Sequence, residues 1–336
     1  MKAAVFEALG QPLSVQDVSD PTPANDEIVV EVGRCGICGS DLHMTEDPIF
    51  GVPSGTVLGH EYSGEIVAVG PGVERLKVGD VVTVSPVRGC GHCPRCLAGQ
   101  QAWCQERRLE GGGYAQYSLA SERQCVKLPS VISLEDGALT EPLSVALHGV
   151  SLAKMPLGAK VLVIGAGPIG LATAFWARRL GAKQVAVIDL HTYQEQRAYE
   201  MGASAFFGKT ENLINKVNQA IGGAPDIVFE CVGKPGLIEQ SIQHVRVKGT
   251  VVVLGLCTAP DTFNPFAALH KEVCIQTSAF FEFPEFCTAV DALDSGAVAP
   301  HALITDTVSL QSMPDTFEAL RQRTTQCKVM VNPRAD

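Results

Sequence analysis

The sequence predicts an α/β protein of two domains, a mostly antiparallel β-domain and a doubly wound parallel sheet. Three observations predict it. Up to about Val87 the chain is a series of short β-runs broken by glycine and proline turns. A glycine-rich turn, Gly165 to Gly170, lies between an apolar strand and a helical run, and beyond it continuous apolar strands alternate with helices, the pattern of a sheet covered on both faces. At 336 residues the chain is too long for one small core. The expected division is 1–150 with 284–336 for the β-domain and 151–283 for the parallel sheet, because the tail that carries the last strand, 327–331, is too short to stand alone.

Composition narrows the function. The net charge is −10 with no basic stripe, so a nucleic-acid backbone has little to hold on to. No apolar run approaches the roughly 20 residues that cross a bilayer, and residues 1–7 lack the charged and apolar regions of a signal peptide. The expectation is a cytoplasmic protein that binds neither nucleic acid nor membrane. Twelve cysteines in a reducing compartment point to metal or to buried thiols. Cys125, Cys231, Cys257, Cys274, Cys287 and Cys327 are scattered through apolar segments and read as small buried hydrophobes.

In chain order, β-runs at 3–6, 27–32, 65–69 and 80–84 are separated by turns at Gly70-Pro71-Gly72 and at 77–80. Between them lie Cys35-Gly36-Ile37-Cys38-Gly39-Ser40-Asp41-Leu42-His43 and Gly59-His60-Glu61. These segments combine thiolate, imidazole, carboxylate and hydroxyl groups and are too polar for ordinary core. Zinc takes such ligands tetrahedrally, and a catalytic site uses three of them and leaves one position open. Cys38 and His60 are the first two candidates; the third is Glu61 or a residue farther along, Glu141 being a good one. The competing reading makes Cys35 and Cys38 buried apolar groups and His60 a hydrogen-bonded core histidine.

Cys90-Gly91-His92-Cys93-Pro94-Arg95-Cys96 and Cys104 then give the spacing C-x₂-C-x₂-C-x₇-C in a turn-rich lobe, about residues 88–106. Four sulfurs fill every position of a zinc ion, so this site is structural and holds together a lobe with almost no apolar core. A redox dithiol or an iron–sulfur cluster is the alternative. Gly111-Gly112-Gly113 turns the chain back into a strand near 116–119, and Glu141-Pro142 opens a helix with Leu143, Ala146, Leu147 and Val150 on one face. His148, on the same helix, reads as structural.

The strand at 160–164 runs directly into Gly165-Ala166-Gly167-Pro168-Ile169-Gly170. In this strand-to-helix context the first glycine makes the turn, the second admits a pyrophosphate and the third allows close helix packing. The next strand, 184–188, ends at Asp189, whose carboxylate suits the adenosine ribose and repels a 2′-phosphate, selecting NAD. Val232, Leu254 and Gly255 complete the cofactor-binding candidates. Strands at 227–230, 250–254 and 273–276, a helix at 237–245 and a last helix at 285–295 finish the chain.

These motifs together resemble the medium-chain zinc-dependent alcohol dehydrogenases, the branch of sorbitol, threonine and butanediol dehydrogenases, essentially end to end. The resemblance implies a GroES-like catalytic domain, made from both ends of the chain, around a Rossmann domain. It also implies an oxidoreductase that moves a hydride between a secondary alcohol or polyol and NAD, with two zinc ions per chain. By position Cys38, His60 and Glu61 match the catalytic zinc ligands, and Glu141 matches a residue that ligates the metal or holds its water. Ser40 and His43 match the proton relay, and Cys90, Cys93, Cys96 and Cys104 match the structural zinc ligands. The implied partners are a small alcohol or ketone and further copies of the chain, as a dimer or tetramer. Two departures stand out. The 105–110 segment is short, and where polyol-oxidising relatives often have an arginine the chain reads Ser278-Ala279-Phe280-Phe281, which implies a more apolar pocket. The alternatives are a zinc-free enone or quinone reductase of the same fold and a NAD-binding sensor or scaffold without turnover.

Overall fold

The ten-residue strand Glu27–Gly36 is the spine of the β-rich part of the molecule. The computed structural model describes residues 1–297, 299–322 and 325–335. It divides into two units, Met1–Glu141 with Glu282–Asp336, and Pro142–Phe281.

In the first unit the spine pairs antiparallel with Glu61–Val69, with Tyr117–Ser121 and with Lys328–Asn332. Val81–Val84 and Cys125–Lys127 extend the sheet on one side, and Ile304–Ser309 extends it on the other, making seven strands. The C-terminal strand thus closes a sheet begun near the N-terminus. It does so for an apolar reason: Val329 and Val331 enter the same buried cluster as Ile28, Val30, Val32, Ile66, Val82 and Val84. Each such side chain contributes about 1.5–3 kcal/mol when fully withdrawn from water. A smaller sheet has the order Ser14–Asp17, Lys2–Phe6, Thr56–Val57.

The second unit is a six-stranded parallel sheet in the order Ala205–Phe207, Gln184–Ile188, Lys160–Ile164, Ile227–Glu230, Thr250–Val253, Cys274–Thr277. The order reverses beside Lys160–Ile164, so the crevice of a dinucleotide fold opens at the C-terminal end of that strand. Its helix Pro168–Arg179 buries Leu171, Phe175 and Trp176, and the Trp176 indole N–H donates to Leu143 O at 2.8 Å. Among the described residues no helix is long and apolar enough to cross a membrane.

Several expected elements move. The helix expected to open at Glu141 runs Thr140–Leu152, so Pro142 is its third residue; the first-turn N–H groups have no intrahelical partner, and proline is accommodated there. The last long helix is Phe283–Asp294 rather than 285–295, and the sixth parallel strand lies one residue later than expected. The strand Ala205–Phe207 carried no sequence signal because three residues are too few to show a period.

Candidate active site

Strands Glu27–Gly36 and Glu61–Val69 pair with Gly36 opposite Glu61, so the segments just beyond them, 37–38 and 59–60, leave the sheet at the same end. That register brings Cys38 and His60 together from 22 positions apart in the sequence. The Cys38 sulfur, a His60 ring nitrogen and a Glu61 carboxylate oxygen lie within 4.8 Å of one another. Cys38 is the N-cap of the short helix Gly39–Met44, and Ser40 in its first turn donates to the Cys38 sulfur at 3.2 Å and lies 3.5 Å from His60 Nε2. His43, also on this helix, is exposed.

His60 is oriented from behind. Its Nδ1 meets Asp41 Oδ1 at 3.1 Å, leaving Nε2 toward the Ser40 hydroxyl, 3.5 Å away. Asp41 is fully buried and its other oxygen accepts from the Tyr114 hydroxyl. Burial opposes its charge, but His60 and the Tyr114 hydroxyl hold the Asp41 carboxyl below the usual range. Burial likewise opposes a charged His60, yet the Asp41 carboxylate and the Cys38 sulfur beside it hold the imidazole well above its ordinary value. A thiol, an imidazole and a carboxylate that converge within 4.8 Å of one another fit a divalent cation.

Glu61 is fully buried, and both its oxygens are on the Lys328 ammonium, at 2.7 and 2.6 Å. Lys328 also donates to Ile37 O at 3.1 Å. A Cβ at Gly36 would stand 2.1 Å from the Glu61 carboxylate, so the glycine is what admits this side chain. Glu141 stands outside the 4.8 Å group; burial raises its carboxyl to about 7, with His60 and Glu61 next in influence.

The four sulfurs of Cys90, Cys93, Cys96 and Cys104 also lie within 4.8 Å of one another. The pairs Cys90–Cys96 and Cys93–Cys104 are 3.9 and 3.8 Å apart. A tetrahedral zinc with bonds of about 2.3 Å requires sulfurs about 3.8 Å apart, whereas a disulfide requires about 2.05 Å. The local backbone prepares the site. Cys93 caps the turn Pro94–Leu97 and its sulfur accepts from Cys96 N at 3.5 Å, while Cys90 Sγ accepts from Cys93 N at 3.4 Å. Backbone N–H groups at 92 and 93 bring the Cys90 thiol down to about 6, whereas burial and the other sulfurs push Cys96 up to about 12.

In the second unit the three glycines of the turn play three different parts. Gly165 has φ +99° and Gly170 has no room for a Cβ, which would lie 1.9 Å from Gly165 O. Among the described residues nothing lies within 4 Å of a Cβ built on Gly167, which leaves the N-terminus of helix Pro168–Arg179 open to an anion. Asp189 accepts from Ala166 N at 2.8 Å and from His191 N at 3.1 Å, so its carboxylate is fixed at the end of its strand. The residues present therefore fit a dinucleotide. Val232 is half exposed beside the turn, with a methyl 2.5 Å from a Cβ built on Gly165. Leu254 and Gly255 follow the neighbouring strand.

Sequence reasoning assigned no part to Asp41, Tyr114 or Lys328. A signal existed for the last of these, a single lysine opening an otherwise apolar terminal strand.

A thiolate-and-imidazole metal centre in one unit and a dinucleotide turn in the other define the class of zinc-dependent, nicotinamide-linked oxidoreductases. Residues 24–130 match the alcohol dehydrogenase GroES-like domain, and residues 168–295 match the zinc-binding dehydrogenase family. The chain is 31% identical to (R,R)-butanediol dehydrogenase of Bacillus subtilis, over 96% of each chain. It is 32% identical to sorbitol dehydrogenase 1 of Saccharomyces cerevisiae, over 94% of this chain and 93% of that one. A zinc-binding dehydrogenase of Sinorhizobium meliloti, solved with NADP bound, superposes with a TM-score of 0.90 at 32% identity, covering 99% of both chains. The chain belongs to the medium-chain zinc-dependent alcohol dehydrogenase family, with a GroES-like domain and a Rossmann domain. It is an enzyme acting on CH–OH donors with zinc and a nicotinamide cofactor.

Proposed function

We propose that this chain interconverts a small secondary alcohol or polyol and its ketone, with NAD as the preferred hydride carrier. The meeting of Cys38, His60 and Glu61 at one end of the paired strands carries the reading. Cys38 and His60 would hold the catalytic zinc with a carboxylate from Glu61, and Glu141 would face the remaining position as an acid. A zinc ion held there would supply Lewis acidity that favours loss of the alcohol proton near neutral pH. Asp41 keeps the His60 ring in its ligating orientation, as outer partners of metal ligands do. Ser40 would accept the substrate's hydroxyl proton while releasing its own toward the exposed His43, which gives a proton to solvent. Gly165, Gly167, Pro168, Ile169, Gly170, Asp189, Val232, Leu254 and Gly255 bind the dinucleotide.

The names of the relatives, butanediol, sorbitol and xylulose enzymes, support the substrate class. Phe280 and the buried Phe281 favour an apolar alcohol over a sugar alcohol. The exposed strand edge at Cys274–Thr277, with exposed Phe266 and Leu269 on helix Pro265–Lys271, supports association of copies into a dimer or tetramer. A reducing, cytoplasmic setting suits twelve cysteines.

The test is Cys38→Ser, assayed by NADH absorbance and by NADH binding. Turnover should be abolished with NADH binding retained; a near-native kcat would remove the assignment. In the same assay kcat/KM for a simple secondary alcohol should exceed that for sorbitol, and a strong sorbitol preference would remove the apolar-pocket reading.

A further inference from the structure

Glu230 ends the parallel strand Ile227–Glu230 with a carboxylate that is only 2% exposed, and the chemistry above does not use it. A charge is expensive to bury without compensation, so its partners are informative. The side-chain Oε1 accepts from Val232 N at 2.7 Å and from Gly233 N at 2.9 Å. The residue's own carbonyl accepts from Leu254 N at 2.8 Å and from Gly255 N at 3.0 Å. One residue therefore gathers four backbone N–H groups from the two loops that follow adjacent strands.

Those loops interlock at glycines around the carboxylate. A Cβ on Gly255 would lie 2.1 Å from Gly233 N and 2.4 Å from Glu230 Oε2. Gly233 has φ +73° and its Cβ would lie 2.3 Å from Leu256 O. On the other side, Val232 is packed against Gly165, the glycine that makes the phosphate turn, and Cys231 N donates to Ile164 O at 2.9 Å. The chain of contacts runs from Glu230 through Val232 to the turn.

We propose that Glu230 is a positioning residue for the cofactor. Its carboxylate holds the loop at 231–233, against which Gly255 of the loop at 254–256 packs, in the one arrangement that lines the dinucleotide crevice, so that Val232, Leu254 and Gly255 are in place before the cofactor arrives. Preorganised loops bind without an ordering cost at the moment of binding. The side chain suits this task because one oxygen at this reach can serve two backbone donors at once. The inference rests on assigning the Gly165–Gly170 turn to the dinucleotide.

The experiment titrates NADH fluorescence against the zinc-loaded full chain for wild type, Glu230→Ala, Glu230→Gln and Glu230→Asp, with zinc content and kinetics measured alongside. Glu230→Ala should weaken NADH at least tenfold and raise KM for NAD much more than it lowers kcat, with zinc content unchanged. Glu230→Gln keeps an acceptor at the same reach and should stay within threefold of wild type. Glu230→Asp draws the carboxylate back by one methylene and should lose about fivefold or more; it carries the test if the alanine variant does not fold. Alanine and aspartate variants that bind NADH as wild type does would overturn the proposal. A wild-type chain that binds no NADH would instead remove the assignment of the turn, so the two failures are distinct.

Discussion

Lys328 places its ammonium against both carboxylate oxygens of Glu61, 2.7 and 2.6 Å away, with both side chains at most 2% exposed. The pair joins the C-terminal strand to the first residue of the strand that follows His60. Glu61 is thereby supplied with a cation before any metal binds. Removing one partner of a buried pair leaves an uncompensated charge, at a cost of about 3–5 kcal/mol. Lys328→Met should lower the stability of the zinc-free chain by roughly 3 kcal/mol in urea unfolding. Added zinc should recover more stability in the variant than in wild type, because the metal then neutralises Glu61. A zinc-free variant within about 1 kcal/mol of wild type would contradict this account.

The four-sulfur lobe offers a separable test. Cys104→Ser leaves three thiolates and should reduce bound zinc from two ions per chain to one. The lobe has little apolar core, since Leu97 and Trp103 are exposed, so it should become the first site of proteolytic cleavage. Retention of two zincs by the variant would sink the four-ligand assignment.

Asp189 has both oxygens pinned by backbone N–H groups and has little freedom to swing away from a 2′-phosphate. Wild type should prefer NAD, and Asp189→Ala should shift the ratio of kcat/KM for NADP over NAD by about tenfold or more, a difference of about 1.4 kcal/mol. The comparison with the Sinorhizobium meliloti protein, solved with NADP, makes this ratio worth measuring. An unchanged ratio counts against the carboxylate as the selector.

His244 should make the Rossmann unit acid-sensitive. It is 2% exposed, its Nδ1 has no hydrogen-bond partner among the described residues, and burial, aided by the Lys271 ammonium, brings its pKa down to about 4. The unfolded chain takes up the proton near 6.5, so it binds more protons than the folded one between about pH 6.5 and 4. Stability from the neutral imidazole is therefore complete above that window and is lost as pH falls through it, by about 3 kcal/mol in total. His244→Leu should flatten the difference in urea midpoint between pH 7 and pH 4.5 relative to wild type. Parallel curves for the two proteins would refute the assignment.

Much of the architecture was legible in the sequence. The turn Gly165 to Gly170 and the cluster from Cys90 to Cys104 are contiguous, and their geometry follows from backbone freedom and spacing over a few residues. The strands of the parallel sheet were readable as apolar runs, apart from Ala205–Phe207, which is too short to have a pattern. Cys38 and His60 were visible as candidates because thiolate and imidazole are rare beside glycine-rich turns. Their partners were harder to see. Asp41 and Tyr114 are 73 positions apart, and nothing in either neighbourhood announces the other.

The amino-acid sequence by itself determined which groups this protein brings to its chemistry: sulfur and imidazole donors, four clustered thiolates, an anion-binding glycine turn and the acid that follows it. Each depends on residues close together in the chain, where spacing sets geometry directly. Only the tertiary structure decided how those groups are held. Glu61 meets Lys328 across 267 positions because two antiparallel pairings place the first and last parts of the chain in one sheet. Glu230 gathers two loops because parallel strands end side by side. Strand register of this kind is set by the burial of whole faces, a property distributed over the core rather than written at any one site.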